Sequence, residues 1–381
     1  MQLVSNNIRE AMGGASFIRK MFEVGIELKK QYGADNVYDF SLGNPDAPPP
    51  AGAAAGLCKV AETAGEPFAL GYMPNAGYPE TRGAIAGSLT REQGVDVPLS
   101  HVVVTTGAAG AINVLFRAVL EPGDEVVCPA PYFMEYRFYA GNFGGVLKPV
   151  QSKDFTFELD VEAIEQALTP QTKAVLINSP NNPTGQIYTR AELEALADVM
   201  RRHMQKTGKV LYLISDEPYR ALNFDGVEIP SLFDIYEYTV IVGSYSKTLS
   251  LAGARIGYLA VCPAMPEPME LINGVIMTNR ILGFVNAPAI AQKLLTCMID
   301  EQVDLRLYRE RRDTMAKVLD HAGIRYNMPK GALYFFPQSP IPDDAVFDNA
   351  LLKERILAVP GRDFGTPGYF PLAFCVPMRS I

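Results

Sequence analysis

The chain has 381 residues, 48% of them hydrophobic and 20% charged, and a net charge of −8. That length and balance suit a globular protein of two domains. With no block of like charge and no apolar run near the roughly 20 residues of a membrane span, the composition argues against nucleic acid and membranes as partners.

Positions 8–32 carry apolar residues at helical spacing, with Phe17, Met21, Val24 and Leu28 among them, and close at Gly33, a suitable C-cap. A strand-like run, 37–42, is broken by Gly43-Asn44-Pro45-Asp46 and by Pro48, Pro49 and Pro50. A loop over 71–77 precedes a helix at 78–92 that ends near Gly94. Strands and helices then alternate. Strands are predicted at 102–105, 125–128, 146–150, 174–177, 210–214, 239–242 and 257–262. Helices fall between them at 109–120, 133–142, 160–168 and 190–206, with Asp160 as an N-cap. Such alternation needs crossover connections and so a mostly parallel sheet. The runs are apolar almost throughout, as in strands covered on both faces.

The stretch 271–322 is helical in pattern, interrupted at Gly283 and Pro288, and long enough to bridge two domains. Strands at 324–326, 331–336 and 372–376, with a helix at 345–354, form a small α+β domain. The expected division is an N-terminal segment of the small domain (1–42), a large domain (43–275), and an interdomain helix with the small C-terminal domain (276–381).

Five cysteines, Cys58, Cys128, Cys262, Cys297 and Cys375, form no C-x-x-C pair. Cys128 and Cys262 sit in apolar runs and read as buried small hydrophobes. With no secretory leader pattern at the start, the expected compartment is a reducing cytoplasm. The three histidines, His101, His203 and His321, lie far apart, which argues against a metal site or a Ser-His-Asp triad. Chemistry then falls to lysine, tyrosine or a cofactor.

The lysine is Lys247, in Ser244-Tyr245-Ser246-Lys247-Thr248-Leu249-Ser250-Leu251-Ala252-Gly253-Ala254-Arg255, just after a β-branched strand run. A lone loop lysine is usually solvated. Among small residues at a strand end it can be desolvated, which frees the neutral amine for a Schiff base. Ser244, Ser246 and Arg255 beside it suit an anionic aldehyde. Thr106-Gly107-Ala108-Ala109-Gly110 also follows a strand and opens a helix, where backbone N–H groups and the helix dipole favour an anion. Such turns are common and nonspecific alone.

Three stretches stand in one order: Asn178-Ser179-Pro180-Asn181-Asn182-Pro183-Thr184-Gly185, then Asp216-Glu217-Pro218-Tyr219, then the lysine stretch. Together they resemble the motifs of class I/II aminotransferases, the aspartate aminotransferase-like enzymes of fold type I that use pyridoxal phosphate. The resemblance spans about 42–376. It implies an α/β fold, with a large domain on a mostly parallel seven-stranded sheet and a smaller α+β domain. It implies pyridoxal 5'-phosphate as cofactor and ping-pong transfer of an amino group from an amino acid to a 2-oxo acid. In it Lys247 bonds the cofactor and then moves the substrate's α-proton. Asp216 pairs with the pyridine nitrogen, and Tyr219 and Asn182 serve the phenolate oxygen. Gly107, Ala108, Ala109, Ser244, Ser246 and Arg255 hold the phosphate, and Phe133 stacks on the ring. Tyr72 reaches the phosphate of a neighbouring subunit, which implies a homodimer with shared sites. Gly43, Asn182 and Arg280 are placed against the substrate. Alone, Asp216 reads equally as a helix cap, Asn182 as turn chemistry and Phe133 as core. A lyase, decarboxylase or racemase of this fold would share every cofactor residue. A cofactor-binding sensor would usually carry a fused DNA-binding domain, for which the chain has neither the length nor a basic stripe.

One position departs from the resemblance. The family's late arginine, which forks onto the substrate carboxylate, aligns with Pro371 in Gly368-Tyr369-Phe370-Pro371-Leu372. Charge-assisted bonds of that kind are worth about 1.5–3 kcal/mol each. Arg280, Arg362 and Arg379 are the candidates to replace it, and Arg280, acting across the dimer, is preferred. Without a replacement, substrate binding is expected to be weak or atypical.

Overall fold

The computed structural model describes residues 3–13 and 17–381; the side chains at 7, 10, 13, 17–20 and 22, Phe17's among them, lie outside the described residues. The strands are β1 (Tyr38–Asp39), β2 (Val102–Thr105), β3 (Glu125–Ala130), β4 (Val146–Gln151), β5 (Thr172–Asn178), β6 (Tyr212–Asp216), β7 (Thr239–Ser244), β8 (Gly257–Val261), β9 (Tyr334–Phe335), β10 (Ile356–Leu357) and β11 (Leu372–Ala373). Seven of them form one sheet in the order β2-β8-β7-β6-β5-β3-β4. From β7 through β4 every pair is parallel, while β8 runs antiparallel to both β7 and β2.

The sheet is covered on both faces, and the strand period divides the side chains between them. Val126, Cys128, Ala174 and Leu176 enter one core with the helix Gly107–Val119. Their neighbours Val127, Val175 and Ile177 enter the other, with Leu193, Leu196 and Met200 of the helix Arg190–Thr207. That helix is fixed at its start by a capping box between Thr189 and Glu192. Most of the apolar runs predicted as two-face-buried strands are just that; β4, at the sheet edge, is the exception, with Val146 and Pro149 exposed. Cys128, Cys262 and Cys375 are buried and unpaired.

A second core holds Phe40, Tyr308, Tyr334, Phe335 and Phe374. Around it β1 pairs in parallel with β10 and β11 antiparallel with β9, so residues near the start of the chain share a ladder with residues beyond 350. Here the sequence reading overstates the strands. The runs at 37–42, 331–336 and 372–376 shrink to two residues each, and 324–326 forms no strand. Ile324 N bonds back to Leu319 O in the helix stop at Gly323, and Arg325 O accepts from Gln338 N as a single tie. Apolar residues alone read alike in a ladder and in a packed loop. Two other differences matter. Helix Gly52–Thr63 was not expected. The strand predicted at 210–214 runs Tyr212–Asp216, so Asp216 ends the strand instead of following it.

That shift sets the site. Asn178, Asp216 and Ser244 end three adjacent strands, with Asn178 opposite Asp216 and Asp216 opposite Val242. Ligands of open α/β sheets collect outside such carboxyl ends.

Candidate active site

Lys247 lies on the loop after β7. Tyr245 O accepts from both Leu249 N and Leu251 N, each at 3.3 Å, which curls the loop. The lysine Nζ donates to Gly43 O at 2.6 Å. Burial pushes its pKa below the ordinary lysine value, with Arg255 adding to the effect. Gly43 has no room for a side chain: a Cβ there would overlap the Tyr334 hydroxyl.

Across the same cavity stands Asp216. Its Oδ2 accepts from the Tyr136 hydroxyl at 2.5 Å, and its Oδ1 is buried without a partner. Burial pushes its carboxyl up to about 7, against the pull of the Tyr136 bond. Asn178 Nδ2 donates to the Asp216 carbonyl at 2.8 Å, and Asn178 Oδ1 accepts from Asn182 N at 2.6 Å. The asparagine loop is thereby pinned to the end of β6. Asn182 Nδ2 reaches the Tyr219 hydroxyl at 3.4 Å, and Asn182 Oδ1 is a second buried acceptor without a partner. Tyr219 meets Tyr334 edge to face at 6.4 Å.

The cavity measures about 270 Å³. Of the expected residues, Gly43, Ala108, Ala109, Phe133, Asn182, Asp216, Tyr219, Ser244, Ser246, Lys247 and Arg255 line it. Gly107 stands behind at φ +78°, where a Cβ would press to 3.1 Å of the Arg255 guanidinium. Arg255 donates to Ala252 O (3.1 Å) and Thr106 O (3.3 Å), which joins the lysine loop to this glycine turn.

Two expected residues are not brought in. Tyr72 is 96% exposed and outside the cavity. Arg280 is exposed on the helix Pro268–Ile281, its guanidinium against the Met277 sulfur. Nor do the other arginine candidates reach the cavity. Arg362 is engaged by Asp343 and Asp344, and Arg379 by Asp35 at 2.6 Å. Pro371 is buried just before β11. Among the described residues, the cations lining the cavity are Lys247 and Arg255.

Sequence reasoning missed Tyr136, Tyr139 and Tyr334, which also line it. Tyr136 lies three positions after Phe133, which precedes the helix, and its N donates to Phe133 O at 3.0 Å in the turn that leads in; that spacing could have flagged it. No local signal marks Tyr334, which arrives from β9.

A profile described as aminotransferase class I and II matches residues 35–378. The chain belongs to this family. The aminotransferase is 33% identical over 364 residues to the aspartate/prephenate aminotransferase of Thermus thermophilus, covering 93% of this chain and 90% of that one. It is 32% identical to the aspartate aminotransferase of Bacillus subtilis, over 81% of this chain and 80% of the relative. Among solved structures, an amino transferase from Eubacterium rectale superposes with a TM-score of 0.94 at 34% identity, covering 100% of this chain and 96% of that one. Aspartate aminotransferase from Thermus thermophilus with maleate gives 0.88 at 29% identity, covering 100% and 97%. The aminotransferase therefore has the α/β architecture of fold type I and uses pyridoxal 5'-phosphate. No helix among its described residues is long and apolar enough to cross a membrane.

Proposed function

We propose that the cavity at the ends of β5, β6 and β7 is the transamination site, taking an amino acid and a 2-oxo acid in turn. The observation that carries this reading is the pairing, in one small cavity, of a desolvated amine on Lys247 with a buried, unpaired carboxylate oxygen on Asp216. Those groups fit pyridoxal phosphate. Asp216 Oδ1 is free to accept from a ring N–H, and the Asn182 and Tyr219 pair is free to meet the phenolate oxygen. The small-residue turn at Gly107, Ala108 and Ala109, with Ser244, Ser246 and Arg255, offers donors and positive charge for a phosphate. Phe133 is the aromatic wall.

Pyridoxal phosphate, when bound, supplies an aldehyde for the amino group and a ring that accepts electrons from the α-carbon. The rest is done by this chain. Tyr136 fixes the Asp216 carboxylate in orientation. Asp216 holds a proton on the ring nitrogen side. Lys247 Nζ takes up and returns the α-proton, and burial, by lowering its pKa, favours the neutral amine that this work needs. Gly43, Asn182 and Arg280 are the proposed contacts to substrate, Arg280 from a second subunit.

The working assembly in this reading is a homodimer in the cytoplasm, with Tyr72 completing the partner's phosphate site. Exposed Phe68, Leu70, Tyr72, Met277, Ile281 and Phe284 support an apolar interface on that side. The division at 1–42, 43–275 and 276–381 is likewise proposed. The pairing of β1 with β10 supports placing the first segment with the last.

The test is to incubate the protein with pyridoxal phosphate, reduce with borohydride and map the modified peptide. An amino-acid panel with 2-oxo acid acceptors then reports transfer. Label on Lys247 with formation of a new amino acid is expected. Label elsewhere, or amino-acid consumption without a transferred amino group, would overturn the reading.

A further inference from the structure

Asp216 is followed by a second buried carboxylate, Glu217. Glu217 N donates to Val242 O at 2.8 Å, so the chain stays against β7 and the two side chains leave to different cavities. Asp216 lines the Lys247 cavity. Glu217 lines another of about 320 Å³, with Glu92, Arg220, Tyr245 and Tyr258. Ser244 borders both.

Glu217 is held closely. Its Oε1 accepts from the Ser215 hydroxyl at 2.9 Å and its Oε2 from Arg220 Nη1 at 2.9 Å. The pair is shielded, with side chains 13% exposed for Arg220 and 2% for Glu217. Arg220 Nη2 also donates to Glu92 O (3.2 Å) and Ile229 O (3.0 Å), and its Nε lies 3.5 Å from Glu92 Oε2.

The titratable groups facing Asp216 come from several elements. They are Cys128 on β3, Tyr136 and Tyr139 on the helix Glu135–Gly141, Tyr219 in the turn after β6, Lys247 and Arg255 between β7 and β8 across the cavity, and Glu217. Burial pushes the thiol and the three phenols up, so they are neutral at neutral pH. Glu217 is the other carboxylate of the set, ion-paired with Arg220. Its uncompensated charge would disfavour a charged Asp216.

We propose that Arg220 is a positioning residue for the reaction: by neutralising Glu217 it leaves Asp216 free to ionise against the cofactor's ring nitrogen. The proposal rests on the role given to Asp216 above and adds a residue that lines a different cavity from the reacting groups.

The experiment follows the Asp216 carboxyl by 13C NMR in the cofactor-free full chain, the resonance identified by its loss in Asp216→Asn. Arg220→Met should raise the titration midpoint by on the order of one pH unit. At pH 7 it should weaken pyridoxal phosphate binding about fivefold, because a midpoint moved from about 7 to about 8 cuts the ionised fraction from about one half to about one tenth. Glu217→Gln alone should lower the midpoint. The double variant Arg220→Met/Glu217→Gln should return both readouts towards wild type, which a lost packing contact would not do. A defect that persists in the double variant overturns the proposal. Should Arg220→Met not fold, an unmoved midpoint in Glu217→Gln overturns it alone. A wild type that binds no pyridoxal phosphate at Lys247 defeats the proposed function instead, while the midpoints still decide the role of Arg220.

Discussion

Asp216→Asn keeps the side chain's shape and removes its titration. In the cofactor-free protein Asp216 is 5% exposed and burial lifts its carboxyl to about 7, with the Tyr136 bond pulling down and Glu217 pushing up. In an unfolded chain the same group titrates near 3.9. Between those values the native state holds a proton that the unfolded state has released, so stability falls as pH rises through the window and levels off above about 7. From about pH 5 to about pH 7 this is two units at about 1.36 kcal/mol each, a loss of about 3 kcal/mol. Asparagine has no such dependence. The stability advantage of Asp216→Asn over wild type should therefore grow by about 3 kcal/mol between about pH 5 and about pH 8. The chain has no tryptophan, so denaturant unfolding is best followed by far-ultraviolet circular dichroism at both pH values. A stability gap that stays constant across the window would refute the idea that burial dominates this carboxyl. With cofactor present the order should reverse, because wild type gains a paired charge and the amide cannot ionise; turnover of the variant should fall steeply.

Lys247→Ala should yield no covalent cofactor adduct on borohydride reduction and no amino-group transfer; an adduct on another residue would sink its assignment. Gly43→Ala should cost activity sharply in steady-state rates, since a Cβ collides with the Tyr334 hydroxyl and ring beside the lysine's own acceptor; a rate near wild type would refute that close fit. Pro371→Arg should lower the KM for α-amino acids tenfold or more, a gain of roughly 1.5–3 kcal/mol for one charge-assisted bond. An unchanged KM would mean that another cation already serves the substrate carboxylate.

The sequence by itself determined the sheet and the chemistry. Runs such as 174–177 and 239–242 are apolar on both strand faces, and only a covered, mostly parallel sheet buries both. As candidates, Lys247, Asp216 and Asn182 were legible because each sits at a strand end within a motif of small, turn-forming residues, and the fold brings all three to one cavity. What surrounds them was decided only in three dimensions. Tyr136 meets Asp216 across 80 positions of chain, and Gly43 meets Lys247 across 204. The two-residue shift that ends β6 on Asp216 follows from pairing with Asn178 and Val242, which no local pattern records. The short strands of the second core were overread for the same reason. Burial of Phe335 or Phe374 is written in hydrophobicity, but whether a ladder forms beside them depends on which backbone lies within reach.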